Sequence, residues 1–404
     1  MQKKIIVSIL TFAMMLLCGL NCFGNTIVTS KDGEQEMIDA PAVNSNGVIV
    51  VDMATGYSIY EKDIYGKYYP ASITKIMTAT VVLENCMLDE TVTFSHDAVY
   101  SIEPGSSSAY ASEGEELSVE QCLYGLMLIS GNDLANGLAE HVSGSNDEFS
   151  KLMNSKALQL GCVNTNFVNP HGLHDENHYT CAYDMALISK YAYKELDKYR
   201  ELIATVRYEV PPTNMLDETR YWRNSNKLLV EYEEFYYEDC IGGKPGYTMD
   251  AGNTLVSYAK INGRVIMIVS LNATSATNVY TDHATIYDYI KESVPSQYFT
   301  ELEALYEKNQ EKFQEETTEN KEVNATVATN DNSKKDSDKK TNVAFIILKV
   351  IGILFSIVVG LYVYLRVRLY LRRRKRNKRK LERMLKQQSR LDIESIEDEN
   401  NWDQ

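Results

Sequence analysis

The sequence predicts an α+β fold: one antiparallel sheet assembled from both ends of the folded region, with a helical block inserted between them. Strand-like runs occur over 47–62 and again over 207–271, while the stretch between them, about 85–205, shows the 3.6-residue spacing of amphipathic helices. In addition, Asn262-Gly263 between two apolar runs is a strong tight-hairpin signal late in the region.

Taken in order, residues 47–52 and 57–62 read as strands joined by Met53-Ala54-Thr55-Gly56. A helix follows over 72–84, with Pro70 just ahead of it. Helices over 119–129, 133–142, 147–161 and 182–194 make up the insert. Strand signals return at 207–210, 244–248, 254–260 and 264–271, and a helix over 282–293 closes the domain.

The net charge of -15 hides two compartments. Residues 366–404 hold 13 Lys and Arg against 7 Asp and Glu, whereas 25–365 carry -23. The first 24 residues have the form of a secretory signal peptide: Lys3 and Lys4, an apolar run, then Cys22-Phe23-Gly24. Residues 343–365 are apolar apart from Lys349 and long enough for a transmembrane helix. The Arg and Lys block directly behind it implies a cytoplasmic C-terminus and an extracytoplasmic N-terminal part. Beside a membrane span that block suits anionic lipid, and nucleic acid is not an expected partner. The expected plan is a signal peptide (1–24), a flexible segment (25–40), a folded domain (41–295), a helical or polar tether (296–342), the span (343–365) and a basic, then acidic tail (366–404). Five cysteines fall outside the signal, an odd number that implies no regular disulfide framework.

The chemistry begins at Pro70-Ala71-Ser72-Ile73-Thr74-Lys75. Ser72 and Lys75 are three apart and share one face of the first helical turn. A serine hydroxyl needs a base beside it, and a lysine can be that base only as the neutral amine. A helix N-terminus and burial both disfavour the ammonium. Alone, S-x-x-K is weak. Ser130-Gly131-Asn132 follows where one helix gives way to the next, and Lys244-Pro245-Gly246 leads into a strand. The ordered set S-x-x-K, S-x-N and K-x-G is that of class A β-lactamases and penicillin-binding proteins.

With these motifs the chain resembles the D-alanyl-D-alanine carboxypeptidases of the low-molecular-mass penicillin-binding protein family. The resemblance runs from about residue 47 to 271 and includes Asn166-Phe167-Val168-Asn169-Pro170-His171-Gly172-Leu173, Asp184-Met185-Ala186 and Asn226-Lys227-Leu228. It implies a β-lactamase/transpeptidase-like sandwich, an antiparallel sheet with a helical subdomain. It also implies roles: Ser72 as nucleophile, Lys75 as its base, Ser130 as proton relay, Asn132 as ligand of the substrate backbone, Lys244 and Gly246 at the terminal carboxylate, and the N–H groups of Ser72 and Tyr247 as oxyanion hole. Peptidoglycan stem peptides are the implied substrate and β-lactams the implied covalent inhibitors, with no cofactor. The sequence departs from the family at Pro245, where a Thr or Ser hydroxyl is usual. It also leaves no room for a β-rich module between 293 and 343.

Two other readings stay open on the sequence. A β-lactamase needs fast deacylation, usually by a positioned Glu, and Glu176 is near the motifs without a motif of its own. A non-catalytic muropeptide- or β-lactam-binding receptor would use the same cleft, and Pro245 and the long tail motivate it. His171, His174 and His178 have metal-like spacing, but a loop whose side chains satisfy backbone groups explains them better, and no metal is expected.

Overall fold

The computed structural model describes residues 40–311. The expected signal peptide, the membrane span, the tail and most of the tether lie outside the described residues. Among those described, no helix is long and apolar enough to cross a membrane.

Five strands form the main sheet: β1 (Gly47–Asp52), β2 (Ser58–Lys62), β7 (Cys240–Thr248), β8 (Gly252–Ile261) and β9 (Arg264–Ala273). Their order is β2-β1-β9-β8-β7, antiparallel throughout, so the early and late strands of the folded region meet where β1 pairs with β9. The apolar run of β1 is buried on both faces. Ile49 and Val51 face the helical block with Met267 and Val269, while Val48 and Val50 face the other way with Ile266 and Ile268. That second face is covered by Ile286, Tyr287 and Ile290 of the closing helix, α8 (Ala276–Ser293). α8 starts six residues earlier than its apolar spacing suggests, because Ser275 caps it by accepting from the Asn278 N–H. Its Asp282 accepts from the backbone N–H groups of Asn44 and Ser45 and so ties down the incoming chain. A further helix begins at 296 and runs through 311; its Phe299 is buried against the sheet core, and Glu303 pairs with Arg264.

The helical block comprises α1 (Thr74–Asn85), α2 (His96–Tyr100), α3 (Val119–Leu128), α4 (Asn132–Ser143), α5 (Asn146–Gln159), α6 (Ala182–Glu195) and α7 (Asp197–Ala204). α1 is buried almost all round. It is the central helix, and its N-terminus opens toward the sheet through a short 3-10 turn, Ala71–Ile73. Ser118 and Gln121 close a capping box on α3. Two small ribbons accompany the block, β3 (Thr91–Thr93) with β4 (Glu116–Ser118) and β5 (Arg207–Val210) with β6 (Arg220–Arg223). The five cysteines of this region, Cys86, Cys122, Cys162, Cys181 and Cys240, are all free thiols.

Candidate active site

Ser72, Ser130, Asn132, Lys244, Gly246 and Tyr247 line one cavity of about 570 Å³, so every motif residue except Lys75 reaches its wall. Lys75 lies beneath, fully buried. Three elements make the cleft: the 3-10 turn ahead of α1, the α3–α4 junction and the edge strand β7. Backbone strain marks the first two, since Ala71 (φ 51°) and Ser130 (φ 62°) are both left-handed.

Lys75 Nζ stands 3.2 Å from Ser72 Oγ, 2.7 Å from Asn132 Oδ1 and 2.7 Å from the His171 carbonyl. The last two can only accept. A neutral amine has two hydrogens, and these two oxygens take both, which leaves the nitrogen lone pair for the Ser72 hydroxyl. Burial pushes the Lys75 amine well below its ordinary value, and the charge of Lys244 pushes it further, against the opposing pull of Asp133. Burial also lowers Lys244, to about 7. Among the described residues neither lysine has an ion-pair partner, and the one hydrogen bond of the Lys244 ammonium goes to the Pro245 carbonyl at 3.1 Å. Ser130 Oγ is buried without a partner, an unsatisfied hydroxyl at the cleft wall.

Glycines set the close approaches. A Cβ on Gly172, itself at φ +91°, would lie 1.9 Å from the Ala71 carbonyl oxygen, so only glycine lets the His171 loop reach under the 3-10 turn. A Cβ on Gly246 would lie 2.7 Å from the Ser72 nitrogen, so β7 passes directly over that N–H. Thr254 fixes the arrangement by donating its hydroxyl to the Pro70 carbonyl at 2.9 Å. Pro245 occupies the edge strand of the sheet, a place where a ladder tolerates a missing N–H.

The structure also gives roles to residues that the motifs leave out. Asp133, fully buried, accepts from Ser108 Oγ and from the N–H groups of Ala109, Ala111 and Leu134. It thereby holds the 108–111 segment that continues the 103–107 wall of the cleft, whose Ser107 carbonyl accepts from the Asn132 N–H at 2.9 Å. The three histidines go to separate partners. His178 Nδ1 accepts from the Val168 N–H, so Nε2 carries the proton and donates to Thr74 Oγ1 at 2.8 Å. Burial lowers His178 to about 3 and keeps it neutral. His171 Nδ1 accepts from the Leu173 N–H, and His174 lies 3.7 Å from Asp250. Glu176 is exposed and does not line the cavity.

Residues 34–275 match the family model described as D-alanyl-D-alanine carboxypeptidase. The chain belongs to the D-alanyl-D-alanine carboxypeptidase family. Among curated relatives, it is 35% identical over 274 residues to the D-alanyl-D-alanine carboxypeptidase DacF of Bacillus subtilis, covering 66% of each chain. It is 31% identical over 247 residues to DacA of Haemophilus influenzae, covering 59% of this chain and 60% of that one. The chain thus spans less than two thirds of the length of these relatives. Among solved structures, the Streptomyces K15 DD-transpeptidase aligns with a TM-score of 0.57 at 30% identity, covering 62% of this chain and 98% of that one. The D-alanyl-D-alanine carboxypeptidase of Mycobacterium tuberculosis aligns with a TM-score of 0.59 at 26% identity, covering 67% and 97%. The penicillin-binding-protein-like α+β fold expected from the motifs is therefore shared with these family structures.

Proposed function

We propose that this chain is a serine-type D-Ala-D-Ala carboxypeptidase, anchored to the membrane through residues 343–365, that trims peptidoglycan pentapeptide stems and is acylated by penicillins. The observation that carries the reading is the buried Lys75 amine, both its hydrogens engaged elsewhere and its lone pair 3.2 Å from Ser72 Oγ.

In the proposed reaction Lys75 takes the Ser72 proton as Oγ attacks the carbonyl of the terminal peptide bond. The N–H groups of Ser72 and Tyr247 receive the developing oxyanion. Lys244 meets the terminal carboxylate beside Gly246, Asn132 holds the substrate backbone, and the unpartnered Ser130 hydroxyl passes the proton to the leaving amine. The C–N bond breaks, D-alanine departs, and water cleaves the Ser72 ester. Pro245 supplies no hydroxyl at the carboxylate, which leaves that end to Lys244 beside Gly246.

The test incubates the full chain, purified in detergent, with a pentapeptide ending in D-Ala-D-Ala and measures free D-alanine. Release by the unmodified chain and none by Ser72→Ala is the expected result. Penicillin labelling of Ser72 without D-alanine release would favour a receptor, and rapid penicillin turnover a β-lactamase; either outcome sinks the carboxypeptidase reading.

A further inference from the structure

A second cluster of chemistry-bearing side chains lies at the other end of α1. Cys86 caps the C-terminus of that helix, Glu90 directly precedes β3, and His141 sits in the last turn of α4. One ligand atom from each, the Cys86 thiol, a Glu90 carboxylate oxygen and a His141 ring nitrogen, all lie within 4.8 Å of one another. None of the three lines the catalytic cleft. Eleven residues separate Lys75 from Cys86, roughly 16 Å along the helix axis.

We propose that Cys86, Glu90 and His141 form a site for a divalent transition-metal ion of the zinc class, which clips the end of α1 to the end of α4. Thiolate, imidazole and carboxylate together are the donor set of zinc, and three protein ligands leave a fourth tetrahedral position for water. All three are half-buried, so the site is open enough for an ion to enter.

The backbone around each ligand is already fixed, as a metal site requires. Cys86 donates its N–H to the Val82 carbonyl at 3.0 Å, and the Glu90 carbonyl accepts from the Val119 N–H at 2.9 Å. His141 rides on a regular helix. Glu90 is oriented further by the Met87 N–H, which donates to Oε1 at 2.6 Å, leaving Oε2 2.9 Å from His141 Nε2. A metal entering there takes the place of the proton between Oε2 and Nε2, the neutral imidazole keeps its one ring proton on Nδ1, and the thiol releases its own proton to solvent on binding. α1 begins beside Ser72 and α4 begins at Asn132, so the ion would tie together the far ends of the two helices whose near ends carry the cleft.

Cobalt reports directly on this arrangement. The full chain, reduced and purified in detergent, is titrated with Co²⁺. The expected result is a thiolate-to-cobalt charge-transfer band in the near ultraviolet that saturates at one equivalent and is bleached by Zn²⁺. The band should vanish in Cys86→Ser, and His141→Ala should bind at least about tenfold more weakly. Zn²⁺ should raise the melting temperature of the unmodified chain and not that of either variant. Absence of the band, or a band unchanged in Cys86→Ser, overturns the proposal. Should Cys86→Ser fail to fold, Glu90→Gln takes its place: weaker binding is expected, and an affinity equal to that of the unmodified chain overturns the site. Loss of this site and loss of the proposed peptidase are distinguishable, because D-alanine release is read separately in the same variants.

Discussion

The charge state of Lys244 gives the sharpest test of how the proposed substrate is held. Burial lowers this amine to about 7, and its one hydrogen bond among the described residues goes to the Pro245 carbonyl. A free carboxylate on the substrate needs Lys244 charged, while attack by Ser72 needs Lys75 neutral. Lys75 is pushed down by burial and again by the charge on Lys244, so it sheds its proton first and the productive pair exists up to about pH 7. At pH 9 only about 1% of free Lys244 is charged, a penalty of about 3 kcal/mol. The value of kcat/KM for a peptide ending in a free carboxylate should therefore fall about a hundredfold from its plateau by pH 9. A peptide with a C-terminal amide gains nothing from the ammonium and should show no such limb. Once bound, the carboxylate retains the Lys244 proton, so kcat should fall far less and the change should appear in KM. The assay is D-alanine release from the acid, and D-alaninamide release from the amide, across pH 6–9. A flat kcat/KM for the acid, or an equal fall for the amide, would refute the assignment of Lys244 to the carboxylate.

Three further outcomes follow from the same geometry. Pro245→Thr restores a hydroxyl beside Lys244 and should raise kcat/KM about three- to tenfold, the worth of one added hydrogen bond; an unchanged or lower rate would sink the idea that the missing hydroxyl matters. Lys244→Met should stabilise the fold while removing activity. The folded amine sits at about 7 against an ordinary 10.5, so the unfolded chain binds the extra proton between those values and the penalty is complete below pH 7. The gain on substitution is then up to about 5 kcal/mol below pH 7 and fades toward pH 10, read by thermal melting at both ends of that range; a variant that melts lower would contradict it. Gly172→Ala should cost at least about 3 kcal/mol, because its Cβ would press on the Ala71 carbonyl from a left-handed backbone, and should also slow penicillin acylation; an unchanged melting point and labelling rate would show that the loop can yield.

Much of the fold is legible because its strands are written as apolar runs. β1 needs apolar residues on both faces, and Asn262-Gly263 fixes the β8–β9 hairpin at its register. The start of β7 is not legible: Gly242-Gly243 looks like a turn, yet a Cβ on Gly243 would lie 2.4 Å from the Val256 carbonyl, so that glycine serves close strand approach instead. The ribbon strands β3 and β4, three residues each, are too short to show alternation. α7 follows α6 across Leu196 with no glycine or proline to mark the break. In the site, Ser72, Ser130, Asn132, Lys244 and Gly246 of the three motifs line the cleft, but Glu103, Lys227, Asn253 and Tyr280 line it too and belong to none of the three. What the motifs cannot show is a backbone acceptor, and the His171 carbonyl that engages Lys75 leaves no mark beyond the glycine that follows it. Asp133 reads as an acidic residue in a first helical turn, although its carboxylate spends its acceptors on the 109–111 backbone behind the cleft wall.

Two buried lysines, neither with an ion-pair partner among the described residues, are a cost that the rest of the domain must offset. The buried carboxylates of the domain are committed elsewhere: Asp133 to the 108–111 backbone, Asp282 to the N-terminal segment at Asn44 and Ser45, and Asp52 to a bidentate contact with Arg264. Each of these ties together segments distant in sequence, so negative charge is spent on closing the domain while Lys244 has no carboxylate partner among the described residues. In a chain whose net charge is -15, that placement matters more than the total. Under the proposed function the missing counter-ion is the substrate's own carboxylate. A site that holds the unpaired Lys244 ammonium gains most from a ligand that arrives with a negative charge, and a ligand lacking that charge finds Lys244 free to lose its proton.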